Sequence, residues 1–181
     1  MPVHRIVEVA APSDYRIPHW FLPALAVTFF LSGASALIYQ VLWLRMLGHV
    51  FGVTVYAAST VWASFMAGLA IGSLAAGRVA DRVRRPLLWF AGAELGIGLS
   101  AMITPWMLRT LQGLLLDVSP ALNSSLVSAT ALRFSISFMV LLVPTALMGA
   151  TLPLVLKSSA WRPERIGASS AVLYGSNTAG A

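Results

Sequence analysis

Four stretches of this chain run for the thickness of a bilayer with almost no charge, and they decide what it can fold into. Residues 20–44 and 53–77 are each 25 residues long without a formal charge, residues 134–156 make 23, and residues 87–108 make 22 with one, Glu94. A helix rising about 1.5 Å per residue covers roughly 37 Å in 25 residues, more than a hydrocarbon core of about 30 Å. Trp20 and Trp43 stand near the two ends of the first run, at the level where amphipathic rings favour the headgroups. In lipid the backbone polar groups must be paired within the segment, so uninterrupted apolar runs of this length become helices. Pro144 and Pro153 in the fourth run are compatible with this, because neighbouring helices or local adjustments can satisfy the carbonyls that proline leaves free. From Ala168 the chain turns apolar again and stops at Ala181 after 14 residues, which is too few to span. The expected fold is therefore an all-α polytopic transmembrane bundle. It has four complete helices, at about 20–44, 53–77, 87–108 and 134–156, and the start of a fifth at 168–181. Residues 1–19 form a mixed polar tail ahead of it, and the chain reads as a fragment of a longer protein.

Charge placement supports this class. A soluble domain carries roughly 25% charged residues to cover its surface, whereas this chain has 10%, gathered in short clusters between the apolar runs. The net charge of +6 invites a nucleic-acid reading, but that requires a basic solvated face, and here the charge is divided among separate loops. No nucleic-acid partner is expected; the basic loops read as anchors to an anionic bilayer. With no cysteine there is no disulfide framework and no cysteine-ligated metal site. Ala34-Ser35-Ala36 resembles a signal-peptide cleavage site, yet the leading segment is long, carries acids, and the apolar run continues to Leu44, so an uncleaved helix is expected.

Orientation follows from lysine and arginine. The tail and the second and fourth loops hold nine of these residues, and the other side holds three, Arg45, Arg109 and Arg133. The positive-inside bias then puts the N-terminus and those loops in the cytoplasm of a bacterial inner membrane. In the long outer connection Leu111, Leu114, Leu115, Val118 and Leu122 recur at helical spacing, which suggests a segment lying along the membrane surface. Asn123-Ser124-Ser125 matches a glycosylation acceptor formally, but such tripeptides are common by chance.

Glu94 is the residue with the most chemical promise. It lies seven residues into the third run, about 10 Å along the helix, where an acid must face the bundle or be protonated. Two functional readings fit, a proton site and a binding point for a cationic substrate; the structural alternative is a carboxyl hydrogen-bonded to a neighbouring helix. Glu94-Leu95-Gly96-Ile97-Gly98 looks like part of a nucleotide loop, but it lacks the strand and the aqueous setting such a loop requires. Ser64, Gly68, Gly72 and Ala76 recur every four residues, as do Gly92, Gly96 and Ser100, and both stripes read as close-packing faces. Gln40 and Arg45 lie toward the outer end of the first helix, with Arg45 able to snorkel as an anchor. His4, His19 and His49 make no metal-ligand spacing.

Two resemblances bear on function. The loop Gly77-Arg78-Val79-Ala80-Asp81-Arg82-Val83-Arg84-Arg85-Pro86 is similar to the loop between helices two and three of major facilitator transporters. It lacks the glycine before the final arginine pair and is one residue shorter; its Asp81 is placed to pair with arginines or a helix N-terminus. Five further stretches look, as a set and in order, like the N-terminal membrane portion of bacterial spermidine synthase-like proteins. They are Leu31-Ser-Gly-Ala-Ser-Ala-Leu-Ile-Tyr-Gln-Val-Leu-Trp-Leu-Arg45, Phe65-Met-Ala-Gly-Leu-Ala-Ile-Gly-Ser73, Ala93-Glu-Leu-Gly-Ile-Gly98, Met148-Gly-Ala-Thr-Leu-Pro153 and Tyr174-Gly-Ser-Asn-Thr-Ala-Gly-Ala181. The resemblance implies transporter-like, major facilitator-like packing of helices that precede a cytosolic aminopropyltransferase domain of the same protein. The implied reaction moves an aminopropyl group from decarboxylated S-adenosylmethionine to a diamine such as putrescine. The family's nucleotide loop and catalytic acid belong to that soluble domain, so no catalytic residue, cofactor or metal is expected in this segment. Polyamine is the implied visitor to Glu94, and the alternatives are a major facilitator-type transporter and a non-catalytic anchor.

Overall fold

In the computed structural model, residues 18–122, 126–159 and 166–181 are described. The tail ahead of them, the tripeptide at Asn123, and Arg162 and Arg165 of the fourth loop lie outside the described residues. The described chain is all helix: α1 Phe21–Phe51, α2 Thr54–Ala80, α3 Pro86–Leu122, α4 Leu126–Ser159 and α5 Ile166–Gly180. The first four are long and apolar enough to cross a membrane, which marks a membrane protein.

The helices outrun the uncharged stretches. α1 continues through Arg45 to Phe51, since arginine is a good helix former and hydropathy marks where lipid ends rather than where a helix does. What stops α1 is Gly52, left-handed at φ 69°, whose N–H closes the last turn on the Gly48 carbonyl at 2.9 Å. The outer connection differs from expectation in the same way. The leucine spacing from Leu111 to Leu122 is helical, but it prolongs α3 instead of forming a separate helix along the surface, and α4 begins at Leu126. On the other side Pro86 opens α3 as its first helical residue, where its missing N–H costs no bond.

Packing follows from where small residues sit. α2 and α4 run side by side in the most extensive contact of the bundle. Ser64, Gly68, Gly72 and Ala76 are all buried there, as the spacing predicts. A Cβ on Gly68 would collide with Thr145, and one on Gly149 with the backbone of Leu69, so these two helices touch main chain to main chain. The α3 stripe packs only in part: Gly96 faces Leu147 of α4, but nothing lies within 4 Å of a Cβ built on Gly92. α4 stays helical through Pro144 and Pro153. Next to the first proline, Thr145 Oγ1 lies 2.8 Å from the Leu141 carbonyl of its own helix and 3.1 Å from that of Ser64 on α2, so the hydroxyl also reaches across the interface.

Two apolar clusters close the ends of the bundle. One joins Leu25, Phe29, Ala80, Phe90, Leu154 and Leu173 near the α2–α3 turn, where the Phe29 and Phe90 rings stack 5.9 Å apart. The other joins Trp43, Leu47, Val61, Leu108 and Leu141 near the α1–α2 turn. Buried hydroxyls are spread along the interior, Thr60, Ser64, Thr104, Thr145 and Thr151, each donating to a carbonyl of its own helix.

Candidate functional site

α1 and α3 run in the same direction with a nearly constant offset: Phe29 meets Phe90, and Ser32 meets Glu94. This register puts the one ionisable residue of the third apolar run against a neighbouring helix. Ser32 Oγ donates to Glu94 Oε1 at 3.3 Å, and the carboxyl is half-buried in a cleft of about 240 Å³ shared with Ser35, Tyr39 and Met148. No lysine, arginine or histidine pairs with it among the described residues. Arg45 stands 13 residues beyond Ser32 on α1, about 20 Å away along the helix, too far for an ion pair. A carboxylate so placed can accept a proton or a cationic ligand. The acid–glycine pattern from Glu94 to Gly98 is uninterrupted helix within α3, with none of the loop geometry that cradles a phosphate.

A second, larger space of about 480 Å³ lies between α1, α2, α4 and α5. Its polar lining includes Gln40, Ser73, Thr151 and Asn177, and it meets the Glu94 cleft across Ser32 and Met148, which line both. Among the described residues the side-chain amides of Gln40 and Asn177 make no hydrogen bond, which leaves donors and acceptors for a polar guest. The sequence did carry a signal for this space. Ser32 and Gln40 fall eight residues apart on one face of α1, and Tyr174, Asn177 and Thr178 repeat at three and four on α5. Scattered single hydroxyls and amides carry no charge, so in sequence they do not stand out from residues that only pack.

No family model, no curated protein and no solved structure matches this chain.

At the loop end, Asp81 pairs with Lys157 at 3.1 Å, joining the end of α2 to the end of α4, and this is the partner it takes instead of the neighbouring arginines. Both groups are exposed, so the pair registers the two helix ends rather than holding them. No cluster of three metal-ligating side chains occurs among the described residues.

Proposed function

We propose that this chain is the membrane domain of a spermidine synthase-like protein in a bacterial inner membrane, with its N-terminus in the cytoplasm. In this reading it anchors a cytosolic aminopropyltransferase domain and presents a polyamine at Glu94. The observation that carries the reading is a half-buried carboxylate with no cationic partner among the described residues, beside a cavity lined by unengaged amides. A polyamine suits such a place, since an ammonium offsets the cost of the buried acid while its remaining amines find neutral acceptors. The five motif stretches suggest the family, and all five contribute residues to these two spaces, among them Ser32, Ser73, Glu94, Thr151 and Asn177.

The test is equilibrium binding of labelled putrescine and spermidine to the purified chain in lipid nanodiscs. Glu94→Gln keeps the shape and the hydrogen bond from Ser32 while removing the charge, and should weaken binding by about tenfold or more, the equivalent of about 1.4 kcal/mol. Undiminished binding by that variant would end the proposal for Glu94. A second reading, the first helices of a major facilitator-type transporter with the packing of that fold, draws on the loop from Gly77 to Pro86 and on the buried hydroxyls of the interior. Sealed vesicles separate the two: an anchor domain binds polyamine without accumulating it, and a transporter accumulates it by counterflow.

A further inference from the structure

The register that joins Ser32 to Glu94 also brings Arg45 and Arg109 to one cleft at the far end of α1 and α3. Arg45 lies 24 residues after Phe21, and Arg109 lies 23 after Pro86, so both stand about 35 Å along their helices, just past the ~30 Å of hydrocarbon. They line one cleft of about 480 Å³ with His49, which is one turn beyond Arg45 on the same face. The wall beneath is apolar and aromatic, with Trp43 buried and stacked on Tyr39 at 5.9 Å. No carboxylate lines this cleft among the described residues, and neither arginine has an ion pair there. A lone arginine at a helix end can snorkel and needs no ligand. Two arginines from different helices bordering one cleft place two positive charges around a common space, which favours an anion there.

We infer that the cleft between α1 and α3 bordered by Arg45 and Arg109 is a binding site for a phosphate-bearing anion. Arginine suits this chemistry because its planar fork meets two phosphate oxygens at once. At the membrane boundary the phosphate can come from a phospholipid headgroup, with its glycerol and acyl chains along the Tyr39–Trp43 wall, or from a soluble phosphate ester. The site is separate from Glu94 and does not depend on any polyamine reading.

Two arms test it on the full chain. In the first, a photoactivatable phosphatidylglycerol is compared with a photoactivatable phosphatidylcholine in nanodiscs, and the cross-links are mapped by peptide. Phosphatidylglycerol should label α1 around Tyr39 to His49 and α3 around Ala101 to Arg109, and raising the salt should weaken that label, as for other charge contacts. Arg45→Gln with Arg109→Gln should lower it about tenfold, while labelling near Arg84 stays unchanged. In the second arm, glycerol phosphate is added to delipidated protein and thermal unfolding is followed. Stabilisation of the wild type that the double variant lacks assigns the site to a soluble phosphate. Arg45→Lys with Arg109→Lys, which keeps both charges and loses the forks, should fall between the two in whichever arm responds. The inference is overturned if neither phosphatidylglycerol nor glycerol phosphate distinguishes the wild type from the glutamine double variant.

Discussion

Ser137 is buried in α4, and among the described residues its hydroxyl has no hydrogen-bond partner, unlike the buried threonines and Ser64, which donate to their own helices. An unpaired buried hydroxyl stabilises nothing, so Ser137→Ala should leave thermal stability in detergent unchanged or raise it by up to about 1 kcal/mol. A clear loss would show that the hydroxyl has a partner. Glu94 is the opposite case, with one weak donor and a charge. Ser32→Ala removes the donor and keeps the charge, so polyamine affinity should fall less than about tenfold, less than for Glu94→Gln. Equal losses from the two variants would mean that the hydrogen bond, and not the charge, does the recognising. The exposed Asp81–Lys157 pair should matter little: Asp81→Asn is expected to cost under about 1 kcal/mol in the same unfolding measurement.

Among elements, the contact of α2 with α4 sets the bundle. Glycine there is a requirement of space rather than of backbone conformation, because the two main chains approach too closely for a Cβ. Gly68→Ala should therefore destabilise by about 1–3 kcal/mol, the usual range for overpacking. Gly92→Ala, in the similar stripe on α3, meets nothing within 4 Å and should be neutral, or stabilising by up to about 1 kcal/mol through helix propensity. The two stripes look alike in sequence, with small residues every four positions. Which one is buried depends on the neighbour that reaches it, and only the α2 stripe has α4 along its whole length. The helix ends were likewise illegible from hydropathy, since α1, α3 and α4 all extend past their apolar cores, α1 as far as the left-handed Gly52.

For the whole molecule, the distribution of lysine and arginine predicts that the α1–α2 turn faces outward and the α2–α3 turn faces the cytoplasm. The native chain has no cysteine, so single replacements report cleanly. A membrane-impermeant thiol reagent applied to intact cells should modify Val53→Cys and spare Val83→Cys, and the reverse labelling would invert the bundle. Opposite placement of these two turns follows from the geometry, because α2 is long enough to carry the chain across a bilayer between them. Its absolute sense rests on charge alone.

The sequence by itself determined the class, the number of long helices and their approximate middles, because the bilayer imposes one length and one pairing rule on every apolar run. It also singled out Glu94, since a lone acid in such a run stands out against its neighbours. Only the tertiary structure decided what surrounds that acid. Ser32 lies 62 residues away in the chain, and the amides of Gln40 and Asn177 come from helices at opposite ends of it. The pairing of Arg45 with Arg109 across one cleft was equally hidden. Each arginine alone reads as an anchor, and the register of α1 on α3, seen in the Phe29–Phe90 and Ser32–Glu94 contacts, is what brings both to one cleft.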